Sequence, residues 1–103
     1  MAKYCFVKFN VTTKDSVEEV FLVGNTKNLG NWDTKKAVKM TKLSDNTFKV
    51  QKRFLIGENV EYKVLATKVW ENVEKGIFNE EVENHHFEGA KGHFEDIFVH
   101  YFN

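Results

Sequence analysis

The chain has no proline, a single cysteine, no net charge and no apolar run longer than four residues. Each of these absences excludes something. One cysteine allows no internal disulfide, and Cys5, set among Phe and Val, reads as a buried, inert thiol. Fifteen basic residues balance fifteen acidic ones, so there is no basic surface to neutralise nucleic-acid phosphates. Nor is there a polybasic patch for an anionic membrane. Runs of four apolar residues cannot cross a bilayer. Met1 to Phe6 lacks the apolar stretch of a secretion signal. The expected location is therefore cytoplasmic, or secreted if the chain is a module of a larger protein. No glycine-rich phosphate loop and no Ser/His/Asp signature is present.

What is present is strand. The 103 residues suit one domain with a single core. From Tyr4 to Val11 the chain alternates, with Cys5, Val7, Phe9 and Val11 on one face. Glu19 to Val23 is an apolar run of the kind found deep in a sheet, and Ala37 to Met40 is a short strand. Phe48, Val50, Lys52 and Phe54 alternate with their neighbours, a turn follows at Ile56-Gly57-Glu58-Asn59, and Val60, Tyr62, Val64 and Ala66 alternate again. That pair reads as a β-hairpin. The last segment fits two patterns: Phe94, Ile97, Phe98, Tyr101 and Phe102 fall at helical spacing, while Ile97, Val99 and Tyr101 fit a strand. Its β-branched and aromatic residues favour the strand. Regular turn signals suggest a β-sandwich or barrel, with lysines in place of proline to blunt its edges.

The chemistry concentrates around two tryptophans. Val20 to Gly24 ends in the polar loop Asn25-Thr26-Lys27-Asn28-Leu29-Gly30-Asn31, which delivers Trp32 and Asp33. The second ring, Trp70, sits in Lys68-Val69-Trp70-Glu71-Asn72. Each ring could simply pack its loop onto the sheet. Alternatively, the two could face a ligand such as a sugar, whose C–H faces lie on aromatic rings while Asn, Lys, Glu and Asp bond its hydroxyls. Lys63 is out of phase with Tyr62, so it points outward if Tyr62 points in; taken alone it reads as a solvated charge. His85 and His86, among several glutamates, do not read as a metal site, since adjacent strand residues point to opposite faces. They read as part of a solvated polar loop. The carboxylates show no catalytic pairing.

These stretches carry a resemblance. Phe21-Leu22-Val23-Gly24, Leu29-Gly30-Asn31-Trp32-Asp33 and Lys36-Ala37-Val38-Lys39-Met40 are similar to the most recognisable part of the starch-binding domains, the family 20 carbohydrate-binding modules. Gly57-Glu58, Val60-Glu61-Tyr62-Lys63-Val64-Leu65 and Val69-Trp70-Glu71 match next, in the same order. The resemblance covers most of residues 1–103; its middle third is specific and its termini match weakly.

It implies an all-β, immunoglobulin-like antiparallel β-sandwich, with the last segment a strand. It also implies binding of α-1,4-glucans such as starch, glycogen and maltooligosaccharides, with no catalysis, cofactor or metal. Trp32 and Trp70 match the stacking platforms, Lys63 and Glu71 the polar contacts. An asparagine also belongs to that site; its spacing departs here, leaving Asn72 or Asn79, with Asn79 favoured and Lys75 at the ungapped position. Phe48 matches a core aromatic. A second family site uses exposed tyrosines in two further loops, but Lys14 to Val17 and Ser44 to Asn46 have no aromatic, so one site is expected. The implied partners are the glucan and a catalytic domain or enzyme acting on it. The alternative is an immunoglobulin-like protein-interaction domain that has lost sugar binding. The rings are expected to be exposed, so that Trp32→Ala and Trp70→Ala should weaken binding and leave the fold intact.

Overall fold

In a computed structural model, which describes residues 3–103, the alternating segments form two packed sheets. Met1 and Ala2, included in the expected 1–103 domain and in the reading of the N-terminus, lie outside the described residues. The first sheet is built on β1 (Tyr4–Thr13), whose Cys5, Val7, Phe9 and Val11 are buried while the residues between them face out. This is the period-2 pattern read in the sequence. β1 pairs antiparallel with β5 (Thr47–Leu55), from Tyr4 opposite Leu55 to Thr12 opposite Thr47. The two-residue β4 (Thr41–Lys42) lies on the far side of β5.

On the other side of β1 is β9 (Phe94–Val99), so the final segment is a strand. It runs parallel to β1, the one departure from an otherwise antiparallel set of pairings among the described residues.

The second sheet has the order β3 (Val38–Lys39), β2 (Phe21–Gly24), β6 (Asn59–Leu65), β8 (His85–Glu88). A small ribbon pairs β7 (Glu74–Lys75) with β10 (Tyr101–Phe102). Between the sheets, Phe9, Phe54, Tyr62 and Phe87 meet edge to face, with centroids 5.2 to 6.1 Å apart. Such pairs add about 0.5–1.5 kcal/mol each beyond area burial.

The expected hairpin of β5 and β6 does not form. β5 belongs to the first sheet and β6 to the second, so the chain crosses from one sheet to the other instead of folding back on itself. Across the core β5 meets β8 through Phe54–Phe87, and β6 meets β1 through Tyr62–Phe9. The link between them turns the corner with Gly57 in the left-handed region at φ 87°. Its N–H is taken by the carbonyl of Gly89, and Leu55 accepts from the N–H of Glu58. Period-2 burial is the same for two strands lying side by side and for two strands facing one another, so the pattern alone could not separate them.

β2 is buried along its whole length. Leu22 joins the main core, while Phe21 and Val23 point the other way into a second cluster with Ala37 and Leu65. β2 is therefore covered on both sides, and its outer cover is the Trp32 loop.

The sheets are also tied through a polar contact. Tyr62 of β6, fully buried, donates its hydroxyl to Glu95 of β9 at 2.7 Å. Burial, then the Glu95 carboxylate, push the phenol far above the ordinary tyrosine value of 10. Tyr62→Phe should lower stability by about 1.5–3 kcal/mol in urea unfolding, the range for a hydrogen bond to a charged group. Because the folded state holds that proton more tightly, the contribution is complete below pH 10 and declines as pH rises beyond it. The wild type should lose stability more steeply than Tyr62→Phe above pH 10.

Candidate functional site

The Trp32 loop is held at both ends. Leu29, completely buried, plugs it into the main core, closing a single helical turn over Lys27–Leu29. The chain then makes three successive left-handed steps: Gly30 at φ 85°, Asn31 at 51° and Trp32 at 64°. Glycine and asparagine adopt this region readily, whereas a bulky residue is rare there and is strained by about 1–3 kcal/mol. Two backbone bonds hold the strain: Asn31 N–H to the Thr26 carbonyl at 2.9 Å, and Trp32 N–H to the Gly24 carbonyl at 2.8 Å. Beyond it, the Asp33 carboxylate accepts the Lys35 N–H at 3.0 Å and caps the next turn.

Trp70 is held differently. It opens a single helical turn, Trp70–Asn72, pinned by the Asn72 side chain. That amide accepts from the Thr67 hydroxyl and donates to the Asn103 carbonyl, both at 2.6 Å. Ala66 N–H closes the loop on the Asn72 carbonyl.

The two rings, 38 residues apart in sequence, come together on the outer face of the second sheet. Their centroids are 6.1 Å apart and their planes tilted by 36°. Trp70 is 44% exposed, while Trp32 is half-buried, with Val73 beside it, against Phe21, Val23, Ala37 and Leu65. The reading of Trp32 as a purely exposed platform is therefore corrected: one side of the ring packs the loop down and the remainder contributes to the surface. The Lys68 ammonium lies 5.8 Å from the centre of the Phe21 ring beneath. Nothing in the sequence marked Lys68 beyond its closeness to Trp70.

The other expected site residues are less uniform. Lys63 shares the outer face with Leu65 and pairs with Val23 of β2. It is half-buried, and its ammonium donates to the Val82 carbonyl, which leaves two further N–H groups. It is thus neither a freely solvated charge nor an unengaged donor. Glu71 is exposed immediately beside Trp70. Asn79 is exposed at φ 63°, on the turn linking Lys75 to Glu81. Among the described residues no hydrogen bond or ring contact joins it to either tryptophan. Asn72, the alternative, has its amide committed to Thr67 and Asn103. Phe48 is core, 1% exposed.

The histidines correct another expectation. His85 lies on β8, not in a solvated loop. It packs against the Tyr62 ring at 5.1 Å, with Nε2 2.6 Å from Oε1 of the buried Glu74. The other oxygen of Glu74 accepts the Val64 N–H. His86 faces outward, as strand alternation requires. Among the described residues no cluster of three potential metal ligands occurs.

A surface concavity of about 390 Å³ lies on the first sheet, away from the tryptophans, lined by Lys8, Asn10, Thr41, Lys49, Val50 and Gln51. The ring pair forms a shallow, open platform. Such a surface suits a flat-faced ligand laid along it better than a small molecule enclosed in a cleft.

The sequence matches the family model "Starch binding domain" over residues 4–93. No curated protein matches it by sequence. Among solved structures it is similar to the family 20 carbohydrate-binding module of a maltotetraose-forming amylase from Pseudomonas saccharophila STB07. The TM-score is 0.72 and identity 27%, covering 91% of this chain and 99% of that one. The family 15 glucoamylase of Hypocrea jecorina shares the fold at TM-score 0.73 and 19% identity over 94% of this chain, which spans only 17% of the glucoamylase's length. A γ-cyclodextrin glucanotransferase ("Gamma-CGTASE") from Alkalophilic bacillus clarkii does so at TM-score 0.69 and 21% identity, over 95% of this chain and 15% of that one.

Three substitutions separate the parts of the two loops. Trp32→Ala should lower stability by about 1–3 kcal/mol, less than for a fully buried ring, and Trp70→Ala by under about 1 kcal/mol. Gly30→Ala, whose new Cβ would sit 2.7 Å from the Lys36 carbonyl at positive φ, should cost more than about 1 kcal/mol. Urea denaturation measures all three.

Proposed function

Starting from a chain that belongs to the starch-binding domain family, the family 20 carbohydrate-binding modules, we propose that Trp32 and Trp70 are its α-1,4-glucan platform and that it binds without catalysis. The observation that carries this is the ring pair: two tryptophans from separate loops brought to a centroid distance of 6.1 Å on an open face. Successive glucose units of a curved glucan would stack on the two tilted rings. Lys63, held near the platform with N–H groups to spare, and the exposed Glu71 would bond hydroxyls at its margin. Asn79 joins the site if the glucan extends along the second sheet toward the Lys75–Glu81 turn.

An open platform recovers little apolar area per sugar, so oligosaccharides should bind with Kd values from about μM to mM. A polymer offers many copies of the ligand, and avidity raises the apparent affinity. A catalytic domain or enzyme acting on the same glucan would be held at its substrate by this module.

Tryptophan fluorescence should change saturably on titration with β-cyclodextrin or maltoheptaose and not with a cello-oligosaccharide. Trp70→Ala should weaken binding at least about tenfold, or 1.4 kcal/mol, and Lys63→Ala by less. Salt up to about 0.5 M should matter little, because the ligand is neutral. A fluorescence response to none of these sugars would overturn the reading in favour of a protein-interaction domain.

A further inference from the structure

The tryptophan loops cover β2 and the Leu65 end of β6 on the outer face of the second sheet, but among the described residues nothing covers the outer face of the first. That bare face carries four large rings: Tyr4 and Phe6 of β1 are 49% and 60% exposed, and Phe94 and Phe98 of β9 are 59% and 53% exposed, with the Arg53 guanidinium 4.4 Å from the centre of the Tyr4 ring. Scattered single apolar residues on a surface need no explanation, whereas a group of aromatic rings on one sheet face marks an interaction surface.

The pairing register shows what fits it. Lys8 pairs with Phe94 on one side and Gln51 on the other; Asn10 pairs with Asp96 on one side and Lys49 on the other. Asn10 also donates to the Asp96 carboxylate at 3.1 Å, fixing those two at the same level. The acidic and aromatic stripe thus flanks β1 on the β9 side, and a basic stripe flanks it at matching height on the β5 side. The 390 Å³ concavity lies on the basic side, between Lys8, Asn10, Thr41, Lys49 and Gln51, at the level of Phe94.

A two-fold axis lying in the face, along β1, exchanges the two flanks and leaves the level unchanged. It sets Asp96 of each copy over Lys49 of the other, and Phe94 of each over the other's concavity. The Phe6 rings meet on the axis.

From this self-complementarity we propose that the outer face of the first sheet docks a second copy of the same chain, back to back. Two copies would then present their Trp32–Trp70 platforms on opposite outer surfaces. One molecule with a single site becomes a bivalent particle; that consequence, though not the dimer itself, rests on the glucan reading.

The four strands of the face have ten, nine, six and two residues; at about 4.8 Å between strands and about 3.3 Å per residue this is roughly 430 Å² per copy. This is below the roughly 800 Å² per partner of a stable complex. Lys8 also meets its own copy on the axis. Both features make association concentration-dependent rather than permanent. Pairing instead through the open edge of β9, antiparallel and centred on Asp96, would oppose Asp96 to its own copy, an unfavourable like-charge pair.

Analytical ultracentrifugation of the unliganded protein tests the proposal without reference to sugar. The mass should rise from one chain toward two between about 10 μM and 1 mM, the range expected for a weak interface. Phe94→Ser and Asp96→Lys should each remain monomeric with unchanged circular dichroism and β-cyclodextrin affinity. Combining Asp96→Lys with Lys49→Asp should restore the dimer. A wild type that stays monomeric throughout overturns the proposal, as does a charge swap that fails to restore what Asp96→Lys removed. If the wild type is monomeric and Phe94→Ser weakens glucan binding, the face is a sugar platform instead. If the dimer forms and no glucan binds, the surface assignment stands and the glucan reading falls.

Discussion

β2 has no solvent side. Phe21 to Gly24 are all buried, so Leu22 can face the main core while Phe21 and Val23 face outward only if something else covers them. The chain covers them with its own next segment, which must reverse within a few residues of Gly24 to lie back over the sheet. That requirement explains the buried Leu29 plug, the three left-handed residues and the bonds from Asn31 and Trp32 back to Thr26 and Gly24. Trp32 is fixed because it is part of this cover. The strain of about 1–3 kcal/mol at its backbone is offset by burying apolar area at about 25 cal/mol per Å². A platform held in this way does not have to be ordered when ligand arrives, which reduces the entropic cost of binding.

Polar groups inside the fold act mainly as positional ties. Glu74 is nearly inaccessible, yet one oxygen accepts the Val64 N–H and the other faces His85. Tyr62 crosses the core to Glu95, and Glu95 also contacts His93 at 2.7 Å. Asn72 ties the Trp70 turn to the last residue of the chain. Glu74 Oε1 and His85 Nε2 meet by proximity, without hydrogen-bond geometry. The Tyr62–Glu95, Val64–Glu74 and Asn72–Asn103 hydrogen bonds contribute modestly to stability, whereas leaving one partner buried and unpaired is expensive. They therefore fix which loops lie side by side. The platform depends on them, because the tryptophans arrive on separate loops with separate anchors.

The two outer faces of the sandwich differ in character. One is covered over β2 and the end of β6 by the tryptophan loops, which present a shallow ring pair. The other is open, with aromatic rings at its β1 and β9 strands and lysines on β5. With equal numbers of acidic and basic residues, the chain has no net field to steer a charged polymer. On the proposed reading, shape and stacking would serve recognition on the tryptophan face, and local charge matching on the other.

The sequence by itself determined that the chain is built of strands, that Cys5, Val7, Phe9 and Val11 face a core, and that Lys63 points away from it. Strand periodicity and residue type are local, so they can be read locally. The tryptophan loops were legible too, since polar neighbours around a large ring mark a surface turn. Tertiary structure alone decided which strands pair. β5 and β6 have the alternation of a hairpin but lie in different sheets, and β9 pairs parallel to β1 across most of the chain's length. Burial of one face is satisfied equally by a neighbour beside or a sheet opposite. The same limit applied at the site. That Trp32 is partly core, that His85 meets a buried glutamate and that Asn72 is occupied as a tie all depend on segments distant in sequence. Such partners are set by how the two sheets close on one another, and no local pattern encodes them.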